Sequence, residues 1–118
     1  MEPGTKVRGD RLRLEQALSN LVDNALRATP RGGRVTIETR PGSVAVRDTG
    51  PGLRPEDVPH AFERFYLHER SLRRDGSGLG LAIVAELTRA MGREARVESE
   101  HGAGARFELT LPVPAPVG

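Results

Sequence analysis

Leu18–Pro30 reads LSNLVDNALRATP, and the fold turns on whether this stretch is a helix. Leu14, Leu18, Leu21, Val22, Ala25 and Leu26 recur at helical spacing, until Thr29-Pro30 and Gly32-Gly33 stop the pattern. Such a helix contains two poor helix-interior residues, Asn20 and Asn24, whose amides compete for nearby backbone groups. With Arg27 they stand at i, i+4 and i+7, one polar stripe beside the apolar face. An exposed flank that happens to carry amides would explain any one of them alone.

Working outward, Thr5–Arg8 reads as a short edge strand and Asp10 as the helix N-cap. Downstream, Arg34–Thr39 (RVTIET) and Ser43–Asp48 (SVAVRD) alternate like two strands joined by an RPG hairpin turn. RPEDVPHAFERF suggests short helical pieces broken by Pro55 and Pro59. Leu67–Ser77 has no period and much charge, the pattern of a mobile loop. Leu79–Met91 is a second amphipathic helix closed by Gly92, and ARVESE and ARFELTLP pair across an HGAG turn. The order α-β-β-α-β-β, with strands mostly adjacent in sequence, implies an α+β fold. Helices cover one face of a mainly antiparallel sheet, a two-layer sandwich. Residues 1–4 read as a start or linker, 5–112 as one domain, and 113–118 as a Pro-rich tail.

Bulk properties fit this division. The 118 residues are 36% hydrophobic and 29% charged, a globular composition with enough chain for one core. Lys6 is the single lysine among 18 basic residues, and the pI is 9.9. A basic pI invites a nucleic-acid partner. Acids interrupt the arginines, however, and only Arg73–Arg74 form a tight pair, so a solvated surface is the better reading and no nucleic-acid partner is expected. With no cysteine, disulfides and thiolate metal sites are excluded. No apolar run approaches the roughly 20 residues that span a bilayer.

Three further stretches bear on the polar stripe. RDTGPGL puts Asp48 at a strand end, before Gly50 and Gly52. A carboxylate there can accept a hydrogen bond from an exocyclic amine, and glycines let a flat ring approach the backbone. DGSGLGLAIV sets Gly76, Gly78 and Gly80 at a helix start, where free amides attract anions. HAFERFY gathers Phe62, Phe65 and Tyr66, nearly all the aromatics of the chain.

In that order, LEQALSNLVDNALRATPRGG, VRDTGPGL, FERFY, GSGLGLAIV and GAGARFELTLP resemble the catalytic, ATP-binding domain of bacterial two-component sensor histidine kinases. That group shares its Bergerat-type fold, with a mixed, mainly antiparallel sheet, with gyrase and heat-shock-chaperone ATPases. The resemblance covers roughly residues 6–112.

The resemblance implies ATP and Mg²⁺ as ligands. It makes Asn24 the Mg²⁺ ligand, an amide oxygen being an acceptable hard donor for an ion that keeps several waters. Asn20 would meet the metal's hydration shell or a phosphate, and Arg27 the phosphates with its forked guanidinium. Asp48 would accept the adenine amine, Gly50 and Gly52 would shape the base pocket, and Phe62 and Tyr66 would begin the lid. Gly76, Ser77, Gly78, Leu79 and Gly80 would wrap the phosphates. Asn20 and Arg27 are the catalytic candidates. Hydrolysing relatives carry glutamate at the Asn20 position, and an amide cannot be a general base. Slow hydrolysis and transfer of the γ-phosphoryl group to a histidine are therefore expected.

Three positions depart from the pattern: Ala28 for an aromatic, Leu67 for a lid arginine, and Arg106 for a small hydroxyl residue beside the adenine. They bear on nucleotide affinity more than on family identity. His60, His68 and His101 are the only histidines, none on a helical hairpin, so the phosphoacceptor is expected on a separate dimerisation domain. Its onward partner would be a response regulator. The chain itself is then expected to be a monomeric cytoplasmic module excised from a longer sensor, with a stand-alone protein as the alternative and an inner-membrane location of the parent left open. Two alternatives stay open: an anti-sigma-factor-type serine kinase, which Asn20 and FERFY argue against, and a degenerate nucleotide-binding module, which the three departures allow.

Overall fold

The computed structural model describes residues 3–64, 66 and 79–110. Helix α1 spans Pro3–Ala28, strands β1 and β2 span Val35–Arg40 and Ser43–Asp48, and helix α2 spans Gly80–Ala90. Strands β3 (Ala95–Glu100) and β4 (Gly104–Thr110) complete a four-stranded sheet of order β1-β2-β4-β3. All its pairings are antiparallel. Both helices pack on one face, α1 against α2 and β2.

Alternation explains the layering. Val44 and Val46 of β2 and Ala105, Phe107 and Leu109 of β4 point to the helices and are buried. They meet Ala17, Leu21 and Ala25 of α1 and Leu81 and Val84 of α2 in one core cluster. Fully buried Leu21 and Phe107 are the largest contributors from the two layers. Thr88, buried in the last turn of α2, satisfies its hydroxyl on the Val84 carbonyl at 2.9 Å.

Ends follow from local chemistry. At the C-terminal end of α1, Thr29 caps with both its N–H and its hydroxyl on the Ala25 carbonyl (3.0 and 2.7 Å), and Pro30 prevents continuation. The β1–β2 turn uses Pro41 and then Gly42 at φ +84, where a left-handed residue is needed. Helix α2 runs one residue short of the expected span at each end, with Leu79 and Met91 as its caps.

The strand expected at Thr5–Arg8 is instead helical and continuous with α1. Asp10 therefore lies inside the helix and pairs with Arg13 at 3.1 Å, and Arg11 pairs with Glu15 at 3.2 Å. Four alternating residues are too few to fix a strand period against a long helical pattern beside them. The sheet consequently has β1 as one edge among the described residues. The helical pieces expected around Pro55 and Pro59 reduce to a 3-10 turn at Val58–His60, with Pro59 in its first turn, where no N–H is missed.

Candidate functional site

Helix α1 presents Asn20 and Asn24 half-buried, flanking the buried Ala17–Leu21–Ala25 stripe. The Asn20 amide nitrogen is buried and has no hydrogen-bond partner among the described residues. A buried donor left unmade is costly, so such an atom marks a place where a ligand oxygen or water fits. Arg27, one turn on, pairs with Asp23 at 3.0 Å with both side chains well exposed. Exposed pairs of this kind are worth only about 0.3–0.5 kcal/mol, so a phosphate can displace the aspartate.

Asp48 closes β2 on the helix-facing side of the sheet and is 1% exposed. Its Oδ1 accepts the Gly50 N–H at 2.9 Å, which fixes the carboxylate's orientation. A Cβ at Gly50 would lie 2.6 Å from the Ala28 carbonyl oxygen, so this glycine lets the loop after β2 meet the end of α1. Gly52 sits at φ +69, and a side chain there would strike the Glu100 carbonyl. The predicted stripe and the predicted base-reading carboxylate are thus drawn to one end of the helix–sheet interface, with Ala28 at the join. Glycine at position 104, read from sequence only as part of a turn, belongs to the same end: a Cβ there would collide with the Asp48 carbonyl. The repeated Gly-x-Gly of HGAG was its only signal in the chain.

Phe62 and Tyr66 of the aromatic box are half-buried against the core, and Phe65 lies outside the described residues. Phe62 meets Phe107 edge-on at 5.9 Å and 85°. The Tyr66 hydroxyl donates to Asp57 Oδ1 at 2.7 Å, its ring stacked 4.8 Å from that of His60. Asp57 is fully buried, an anchor that the sequence reading passed over. Leu79 and Gly80 open α2, and a Cβ built on Gly80 would meet no other element among the described residues. Gly76, Ser77, Gly78, Leu67 and the expected mobile loop lie outside the described residues.

Arg106 corrects an expectation. It pairs with Arg47, whereas Asp48 pairs with Ala105, so Arg106 points to the sheet face opposite Asp48. It removes nothing from the base side; a hydroxyl would have to stand at Ala105 to share that face. Instead its buried guanidinium binds Glu38 of β1 at 2.8 Å and Glu108 at 3.0 Å. The hydrogen bond from Arg106 holds the Glu38 carboxyl below its ordinary value of 4.5, against the opposing effect of desolvation and with help from Arg47. The same hydrogen bond raises the Arg106 guanidinium.

A buried carboxylate at the end of β2, followed by two glycines, and a helix face of amides and arginine thus belong to one α+β domain. The chain belongs to the histidine kinase-, DNA gyrase B-, and HSP90-like ATPases, whose family description matches residues 9–115. It is 42% identical over 113 residues to the sensor-like histidine kinase SenX3 of Mycobacterium tuberculosis, covering 91% of this chain and 28% of that protein. Among solved structures, the mycobacterial sensor histidine kinase MprB superposes with a TM-score of 0.70 at 35% identity, covering 87% of this chain and 72% of that one. Full-length ShkA, solved in complex with AMPPNP, superposes with a TM-score of 0.67 at 38% identity, covering 90% of this chain and 22% of that one. The chain thus spans little more than a quarter of the SenX3 length. No described helix is long and apolar enough to cross a membrane.

Proposed function

We propose that this domain binds Mg²⁺-ATP and donates the γ-phosphoryl group to a histidine on a separate dimerisation and phosphoacceptor domain, which passes it to a response regulator. The observation that carries the reading is the buried Asn20 amide nitrogen, without a partner among the described residues, on the helix stripe that ends beside Asp48. In this reading Asp48 accepts the adenine amine while Gly50 and Gly52 give the ring access to backbone. Asn24 holds Mg²⁺ through its amide oxygen. No cluster of three or more His, Cys, Asp or Glu able to hold a metal exists among the described residues, so the ion would lean on phosphate oxygens and water as well. When bound, Mg²⁺ neutralises charge on the phosphates.

The residues of this chain bind and orient. Asn20 donates to a phosphate or to a metal-bound water, and Arg27 leaves Asp23 for a phosphate oxygen. Phe62 and Tyr66 are fixed on the core, and the N-terminal end of α2 at Leu79 and Gly80 receives a phosphate. The acceptor imidazole nitrogen then forms its bond to the γ-phosphorus as the bond to the β-bridging oxygen breaks, and ADP leaves. Positioning and charge neutralisation supply the rate enhancement. With an amide at position 20, no side chain there takes a proton from water, and hydrolysis is slow.

Mixing the domain with labelled ATP and a dimeric phosphoacceptor fragment tests this. Acid-labile, base-stable label on the fragment's histidine is the expected result. Label on a serine would favour the anti-sigma-type alternative, and nucleotide binding without any transfer would favour a degenerate module.

A further inference from the structure

The loop after Asp48 is held to the β3–β4 hairpin by one side-chain hydroxyl together with backbone contacts. Ser99, on β3, pairs with Ala105 and so shares the Asp48 face of the sheet. Its Oγ accepts the Leu53 N–H at 2.6 Å. Its own proton is directed to the Gly104 carbonyl at 3.2 Å or the Leu53 carbonyl at 3.4 Å. Leu53 is 1% exposed, so its N–H has no water to fall back on. Two further contacts run parallel: Gly102 donates its N–H to the Pro51 carbonyl, and Gly104 lies against the Asp48 carbonyl so closely that no Cβ would fit.

The loop from Asp48 to Leu53 is therefore fastened at its far end by Ser99 and at its near end by Gly104, which Ser99 also touches. We infer that Ser99 is a positioning residue for base recognition: its hydroxyl sets the loop that carries Gly50, and Gly50 in turn orients the Asp48 carboxylate. This rests on the nucleotide reading of the site. It extends that reading to a residue outside the Asp48–Gly52 loop.

Calorimetric titration with non-hydrolysable ATP and GTP analogues tests it, on the wild-type chain, Ser99→Ala and Ser99→Thr. Losing the acceptor for one buried N–H is expected to weaken ATP-analogue binding about tenfold. A GTP analogue in the same pose puts the guanine C6 carbonyl, an acceptor, where adenine has its amine, so its binding gains nothing from the carboxylate and should stay unchanged; the preference for adenine then shrinks by the same factor. Ser99→Thr, which keeps the hydroxyl, should restore it. A merely structural role would lower the melting temperature and weaken both analogues equally, and that result overturns the inference. So would unchanged selectivity in Ser99→Ala. A wild-type chain that binds neither analogue would instead overturn the nucleotide reading itself.

Discussion

At Asn24, stability and function pull in opposite directions. Alanine is the best helix former, so Asn24→Ala should leave thermal unfolding unchanged or raise stability by roughly 0.5 kcal/mol. The same change should abolish the Mg²⁺-dependent part of ATP binding. A sharp fall in the melting temperature with binding intact would make Asn24 a structural residue. Asp48 is a different case, because Gly50 already occupies one of its oxygens. In Asp48→Asn the amide oxygen stays on Gly50, and the NH₂ group is turned toward an amine that is itself a donor. Binding should weaken by at least tenfold, about 1.5–3 kcal/mol for a hydrogen bond to a charged group, as read by titration.

Strand parity governs what each element does. On the outer face of the sheet, Glu38, Arg106 and Glu108 tie β1 to β4 across Ala45 of β2, itself fully buried. Because the folded Glu38 carboxyl lies below 4.5, the unfolded chain binds its proton more tightly. Its stabilising effect is present above pH 4.5 and is lost as pH falls through the lower folded value. Urea unfolding across pH 3 to 6 should therefore show a shallower acid limb in Glu38→Gln than in the wild type. On the inner face, Phe107→Ala removes the largest fully buried side chain and the partner of Phe62, at a cost of about 3–5 kcal/mol. Denaturant titration should show that loss, enough to unfold much of a domain this size.

The molecule as a whole was legible in the sequence wherever one periodicity ran long enough. The Leu21 helix face, the four alternating strands and their hairpins follow from residues within a few positions of each other. Asn20, Asn24 and Arg27 could be read as one stripe for the same reason. What escaped depends on partners far along the chain: Ser99 on Leu53 and Gly104 against Asp48. Arg106 shows the converse. Phe107 faces the core, so its neighbour must face away, and strand alternation alone would have removed Arg106 from the base side.

One titration bears on the central claim most directly: a non-hydrolysable ATP analogue added to this domain, with and without Mg²⁺, beside Asp48→Asn. Saturable binding that Mg²⁺ strengthens and Asp48→Asn removes is the predicted result. Binding that is indifferent to both Mg²⁺ and Asp48, or no binding by a folded wild-type chain, would contradict it.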